Sequence, residues 1–157
     1  MKAGITIQPT TDITSAEYLS ERVIDCYKSL DVSSLGQLQS LYSEDVYFKD
    51  PSHAFQGRPA LMRYFESMFE NVDSCQFKFH QSINNGSDIF LSWTMLLRHK
   101  RLLKGEVIRV EGSSYLKTRN GSIYCQRDYF DMGAMVYEHI PVLRTVVRFI
   151  KQRLGNN

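Results

Sequence analysis

Apolar residues recur every three or four positions in three stretches of the first half of the chain, which predicts three amphipathic helices. The string Thr14-Ser15-Ala16-Glu17 fits a capping box at the start of the first helix. Gly57-Arg58-Pro59 starts the third helix, since proline in a first turn loses no hydrogen bond. The predicted buried stripes are Leu19, Val23, Cys26, Tyr27 and Leu30; Leu35, Leu38, Leu41 and Tyr42; and Leu61, Tyr64, Phe65, Met68 and Val72.

From Cys75 onward the period of the apolar positions changes to two, which is typical of β-strands. Asn85-Gly86 and Asn120-Gly121 are dipeptides typical of tight hairpins. Long strands are predicted at residues 75–83, 88–99, 106–118 and 122–131, after a short strand at 46–49 that Pro51 stops. The inward face of the first long strand is predicted to carry Cys75, Phe77, Phe79 and Ile83. Helices followed by an antiparallel meander predict an α+β domain with its helices on one face of the sheet.

The last segment, residues 133–157, returns to helical spacing and is predicted to form an amphipathic basic helix, interrupted near Pro141. Its apolar positions are Val136, Ile140, Leu143, Val147, Ile150 and Leu154, and its cations are Arg144, Arg148, Lys151 and Arg153. The favoured interpretation is a helix that closes one end of the domain and turns its polar face to solvent. The alternative is a contact of this helix with an anionic lipid surface or an acidic partner.

Composition narrows the class of protein further. The 157 residues are 43% hydrophobic and carry a formal net charge of +2, which fits one globular domain and argues against a nucleic-acid binder. Residues 1–13 are expected to form a flexible arm before a domain at 14–132. We expect a cytoplasmic protein, because the sequence shows no leader or membrane span and its three cysteines form no CxxC pair. No metal site is expected from the histidine spacing.

Three strings in this order, Tyr42–Pro51, Gly57–Leu61 and Arg127–Asp131, resemble the nuclear transport factor 2-like superfamily, in particular its bacterial SnoaL-like branch. The resemblance implies a cone-shaped α+β barrel, in which three N-terminal helices pack in a curved antiparallel sheet around an apolar cavity. It also implies a homodimer through the outer sheet face. The fold hosts enzymes, small-molecule binders and interaction modules, so it does not by itself define the function.

Enzymes of this fold supply candidate site residues. The ketosteroid isomerases resemble the chain at Asp50, their general base, and at Tyr27, their oxyanion donor, whereas Ser113 stands where they have a protonated aspartate. The limonene epoxide hydrolases and the SnoaL-type cyclases place a catalytic acid at Asp128. The epoxide hydrolases need an arginine and a second aspartate where this chain has Trp93 and Met95, so their water-activating triad is absent from the sequence.

The resemblance also predicts which side chains face the cavity. Besides Asp50, Tyr27 and Asp128, the candidate ligand-binding residues are His53, Trp93, Met95, Glu111, Ser113 and Tyr47. The inward residues of the third long strand are expected to be Arg109, Glu111, Ser113 and Tyr115. Arg109 is expected to pair with Glu111 or Asp128. On the fourth long strand, the residues expected to point inward together with Asp128 are Tyr124, Gln126 and Phe130. Purely structural roles stay open for Asp50 as a turn residue and for Tyr27 and Trp93 as core residues.

Three functions follow as hypotheses. The first is a binder of a small apolar or amphipathic molecule in an internal cavity. The second is a cofactor-independent isomerase or cyclase with Asp50 as general base, assisted by Tyr27 or Asp128. The third is a non-catalytic interaction module. No nucleotide-binding glycine motif is present, and no cofactor is expected.

Overall fold

Six strands form one curved sheet, and the helices pack against its inner face. The computed structural model describes residues 15–28 and 30–155; the predicted arm at 1–13 and the capping residue Thr14 lie outside these ranges. The helices are α1 (Ser15–Lys28), α2 (Leu35–Leu41), α3 (Arg58–Asn71), α4 (Met132–Met135) and α5 (Pro141–Gly155). The strands are β1 (Tyr42–Lys49), β2 (Ala54–Gln56), β3 (Val72–Asn85), β4 (Asp88–His99), β5 (Val107–Arg119) and β6 (Ser122–Phe130).

The strand order is β2-β1-β6-β5-β4-β3, so the predicted four-stranded meander is confirmed. All neighbouring strands are antiparallel except β1 and β6, which run parallel. The second hairpin turns at Asn120 and Gly121, where both φ angles are positive, at 52° and 71°. Asparagine and glycine tolerate this conformation, which explains why that dipeptide ends the strand pairing here.

The core lies between the inner sheet face and the predicted stripes of the first helices. Helix α1 packs against β3 and β4, and α3 packs against β1 and β3. Leu19, Leu61, Ile89, Leu116 and other large apolar side chains are almost completely buried. Burial of each such side chain contributes about 1.5–3 kcal/mol. The packing fixes both helices relative to the sheet.

One face assignment on β3 is wrong because of a β-bulge. The register between β3 and β4 shifts between Phe79 and Gln81, which reverses the side-chain alternation beyond that point. Ser82 therefore turns toward α1 and bonds to Ser20, with 2.7 Å between their hydroxyl oxygens. Ile83, which the period-two pattern places inside, is 59% exposed.

The C-terminal segment is interrupted as predicted: α4 is followed by a short 3₁₀ turn, and α5 begins at Pro141. The expected burial of its apolar stripe is wrong. Val147 is half-buried, whereas Leu143, Ile150 and Leu154 are exposed. The polar edge of α5, where Lys151 bonds to Asp131 and Glu138, lies next to the rest of the chain, so the apolar side faces outward.

No helix in the described ranges combines the length and the apolar character that a membrane span requires.

Candidate functional site

A cavity of about 60 Å³ lies between α1, α3, α4 and the inner face of the sheet. Its wall is mainly apolar and aromatic, and two aspartates lie in it. The lining residues are Tyr27, Leu30, Phe48, Asp50, Tyr64, Phe65, Met68, Phe77, Trp93, Met95, Asp128, Phe130 and Met135. A larger depression of about 340 Å³ is an open surface groove. The smaller cavity is the candidate site, because a few polar groups in an apolar wall are typical of small-molecule sites.

The cavity volume limits what fits without rearrangement. About 60 Å³ accommodates a few water molecules or a small organic group, since one water needs roughly 10–15 Å³ by the same measure. Three methionines, Met68, Met95 and Met135, contribute to the wall. Methionine side chains are flexible and adapt to irregular shapes, so these residues are the part of the wall best suited to make room for a larger molecule.

Asp50 follows the last residue of β1 and is buried, with 5% of its surface exposed. Its Oδ1 accepts the backbone N–H groups of Ser52 and His53, both at 2.6 Å. Its Oδ2 accepts the Tyr64 hydroxyl at 3.0 Å and lies 3.1 Å from the His53 Nδ1. An aspartate that bonds the backbone two residues later forms a local turn. Most of the carboxylate's accepting capacity therefore maintains the loop after β1.

His53 and Tyr64 hold Asp50 from two sides. The His53 ring stacks on Phe55 and approaches Tyr64, with ring centroids 5.9 Å and 5.0 Å apart. About half of the His53 side chain is exposed, so it contacts Asp50 from the solvent side, whereas Tyr64 lines the cavity. Burial, followed by the charge of Asp50, raises the pKa of the Tyr64 phenol.

Asp128 lies on β6, directly opposite Ser114 of β5. Asp128 as a whole residue is only half-buried. Its carboxyl group, however, lies among the cavity residues and is desolvated. Desolvation, and to a smaller extent the nearby Asp50 charge, raise the pKa of Asp128, while hydrogen bonds from Ser114 and Gln126 oppose the rise; the resulting pKa is about 6. This carboxyl group can therefore bind and release a proton near neutral pH.

A chain of hydrogen bonds connects Asp128 to α1. Gln126 donates its Nε2 to the Asp128 Oδ1 at 3.0 Å, and its Oε1 accepts the Tyr42 hydroxyl at 2.7 Å. Tyr42 and Tyr27 lie 2.6 Å apart, oxygen to oxygen. Because the Tyr42 proton goes to Gln126, the Tyr27 proton goes to Tyr42. Tyr27 lines the cavity, but its proton is directed away from it, and burial raises its pKa.

Trp93 also lines the cavity, and hydrogen bonds through Ser114 connect it to Asp128. Its indole Nε1 donates to the Ser114 hydroxyl at 2.9 Å, and Ser114 in turn bonds Asp128. Gly112 lies opposite Trp93 on β5, and a Cβ there would lie 2.6 Å from the indole Cζ3. A glycine is therefore needed at this position for the tryptophan ring to lie where it does.

Several residues that the sequence places in the cavity lie on the outer face of the sheet. Strand β5 turns Ile108, Val110, Ser114 and Leu116 inward, so the prediction that its odd-numbered residues line the cavity is wrong. The odd-numbered residues in question are Arg109, Glu111, Ser113 and Tyr115.

The same face holds the other misplaced residues. Arg109 does pair with Glu111, at 3.1 Å, but both side chains are exposed. Tyr47 is 40% exposed, and Tyr124 leaves the inward set because the register shifts beside it. The homodimer through this outer face stays a prediction.

Sequence reasoning missed some residues of the site. Ser114 and Gly112 follow from the correct alternation on β5, which the apolar residues Ile108, Val110 and Leu116 indicate. Tyr64 was predicted to be a core residue, and its bond to Asp50 carries no local signal. Within residues 15–28 and 30–155, no group of three or more His, Cys, Asp or Glu side chains is arranged to hold a metal ion.

Residues 21–126 match the SnoaL-like domain family, and the chain belongs to that family. No curated protein is significantly similar in sequence. The structure resembles a protein from Jannaschia sp. CCS1 assigned as a SnoaL-like polyketide cyclase, with a TM-score of 0.70 and 12% identity over 85% of this chain and 97% of that one.

Two further solved structures show the same fold. An M. tuberculosis LEH-like epoxide hydrolase gives a TM-score of 0.65, with 16% identity over 85% of this chain and 95% of that one. The second is a hypothetical protein of ketosteroid isomerase-like fold from Catenulispora acidiphila DSM 44928, solved in complex with trimethylamine. Its TM-score is 0.66, with 13% identity over 77% of this chain and 90% of that one. The predicted nuclear transport factor 2-like cone fold is thereby confirmed.

Proposed function

We propose that the cavity binds a small apolar molecule that carries a carbonyl group, and that Asp128 removes a proton from the carbon next to that carbonyl. The observation that carries the proposal is a desolvated carboxyl group with a pKa of about 6 in an apolar wall. A general base works best when its pKa lies near the working pH, and such a base serves isomerases and cyclases that need no cofactor. The isomerase or cyclase hypothesis is therefore favoured, with its base moved from Asp50 to Asp128.

The hydrogen bonds of the two acids support this assignment. Asp50 accepts two backbone N–H groups and the Tyr64 hydroxyl, and it contacts His53. Asp128 receives bonds from Gln126 and Ser114, both on the sheet. Asp50 is thus committed to its loop, and its negative charge increases the proton affinity of Asp128.

The wall composition argues against epoxide hydrolysis by the family's water-activating triad. Trp93 and Met95 occupy the two positions where that triad needs an arginine and an aspartate, and both line the cavity. Among the described lining residues there is no arginine. Simple binding without chemistry remains as the second function, and the cavity supports it for the same ligand class.

The test uses acetone, a small carbonyl compound with exchangeable α-hydrogens, as the probe in deuterated buffer. Proton NMR follows the exchange of its α-hydrogens with the unmodified chain, Asp128→Asn and the matched control Asp73→Asn, which changes an exposed aspartate on β3. We expect exchange above the buffer rate for the unmodified chain and for Asp73→Asn, and a loss of about 100-fold or more in the enzymatic rate for Asp128→Asn. The rate of the unmodified chain should rise with pH through about 6, as the carboxylate forms.

Binding of the same probe is measured in parallel by the chemical-shift changes of the Trp93 indole N–H. Binding without exchange would contradict the catalytic proposal and favour the binder. Equal exchange by the unmodified chain and Asp128→Asn would show that Asp128 is not the base. Absence of any shift at Trp93 would contradict both functions.

A further inference from the structure

Helix α5 presents an apolar face to solvent along its whole length. Val142 is 75% and Leu154 is 74% exposed, and the residues between them follow the same pattern. The exposed apolar side chains of this face are Val142, Leu143, Val146, Phe149, Ile150 and Leu154. They recur at spacings of three and four, so they form one continuous stripe on the helix surface. A stripe of this kind is normally buried against another apolar surface.

The polar edge of α5, not its apolar stripe, is attached to the domain. The Lys151 Nζ lies 2.5 Å from a Glu138 carboxylate oxygen and 3.5 Å from one of Asp131. Arg144 and Arg148 line a groove that α5 shares with the β4–β5 connection. The domain thus lies on the polar side of the helix, and the stripe faces outward except at its edge, where Phe149 also lines this groove.

Helix α5 and the neighbouring connection are rich in cations. Helix α5 carries Arg144, Arg148, Lys151 and Arg153 and contains no acidic residue. The neighbouring connection, whose Leu103 lines the same groove, adds Lys100, Arg101 and Lys104, all exposed, followed by the single acid Glu106. The Arg153 guanidinium lies 5.3 Å from the Phe149 ring centroid, so a cation is also present beside the apolar side chains.

We propose that α5 binds the surface of a bilayer containing anionic lipid, with its apolar stripe inserted among the acyl chains near the headgroups. A basic amphipathic helix with Leu, Ile, Val and Phe on one face has the chemistry that such a surface recognises. The cations of α5 and of the neighbouring connection then lie near the headgroups, and their attraction to anionic lipid adds to the apolar contact.

Charge favours this occupant over a second copy of the chain. Apposing the stripes of two copies would bring together two helices that each carry three arginines and no acidic residue, while Lys151 of each copy is already paired with Glu138 and Asp131. Like charges at close range disfavour association. An anionic bilayer covers the same apolar area and neutralises the charge.

The test is co-sedimentation of the full chain with vesicles of phosphatidylcholine alone and with 30% phosphatidylglycerol. The charge variant is Arg144→Glu with Arg148→Glu, and the matched control is Lys49→Glu with Lys78→Glu, which makes the same charge change at exposed strand positions. We expect binding to the anionic vesicles, a loss of at least about tenfold for the charge variant, and no comparable loss for the control. Phe149→Ser with Ile150→Ser, both exposed, should also lose about tenfold.

No sedimentation with anionic vesicles, equal binding to neutral ones, or equal losses for the charge variant and its control would overturn the proposal. Light scattering measures the mass of the same samples without lipid. The chain could instead form a dimer that does not bind vesicles and that falls apart when Phe149 and Ile150 are both replaced by serine. This result would identify a second copy as the occupant and would overturn the lipid proposal. Circular dichroism confirms that each variant is folded.

Discussion

Replacing Asp128 with asparagine should stabilise the protein at neutral pH and have little effect at pH 4. The carboxyl group has a pKa of about 6 in the folded chain, against about 3.9 in an unfolded one. At pH values between about 3.9 and about 6, Asp128 is ionised in the unfolded chain but still protonated in the folded one. Raising the pH therefore favours unfolding, and the stability associated with protonated Asp128 is lost as the pH rises through about 6.

The size of the effect follows from the two pKa values. A difference of about two pKa units at about 1.36 kcal/mol each gives roughly 3 kcal/mol above pH 7. Asparagine removes this ionisation cost and retains a polar side chain beside Ser114 and Gln126. We expect Asp128→Asn to raise the free energy of unfolding by up to about 3 kcal/mol at pH 7.5.

Urea unfolding of the unmodified chain, Asp128→Asn and Asp73→Asn at several pH values between 4 and 8 measures this. The difference between Asp128→Asn and the unmodified chain should grow from near zero at pH 4 and level off above pH 7. Asp73→Asn, at an exposed position, should show no such growth. A variant that is less stable than the unmodified chain at pH 7.5, or a difference independent of pH, would refute the desolvated-acid argument.

Two further substitutions test the walls around this acid. Gly112→Ala should displace the Trp93 ring and lower the free energy of unfolding in urea by about 1–3 kcal/mol. It should also shift the fluorescence emission maximum of the single tryptophan, and unchanged emission would contradict the contact. Tyr42→Phe leaves the buried Gln126 Oε1 without its donor, so we expect a loss of about 1–3 kcal/mol, and full stability in this variant would argue against the hydrogen-bond chain.

Local patterns in the sequence predicted the elements well. The stripe of Leu61 and Phe65 marks α3, and the Asn-Gly dipeptides mark two hairpins, because helical spacing and positive φ angles depend on nearby residues alone. The faces of the strands were harder. On β3 a bulge after Phe79 reverses the alternation, and no residue type announces it.

The site was predicted in part, for a related reason. Asp50, Tyr27, Trp93, Met95 and Asp128 do line the cavity. On β5 the resemblance predicts odd-numbered residues inside, whereas the buried apolar residues of the strand are even-numbered.

Contacts between distant segments could not be read from the chain. The Tyr64 bond to Asp50 joins α3 to the loop after β1, and only the packing of these elements brings the two groups together. Likewise, it is the polar edge of α5 that contacts the rest of the chain, through Lys151 with Glu138 and Asp131. Amphipathic spacing predicts a stripe but does not state which side of the helix the domain occupies.

The most direct measurement is a ¹³C NMR titration of the aspartate carboxyl groups, with the Asp128 resonance identified by its disappearance in Asp128→Asn. The account predicts a midpoint near pH 6 for this resonance. A midpoint near 4, the value of a solvated aspartate, would mean that water reaches this carboxyl group freely, and the proposed base would lose its physical foundation.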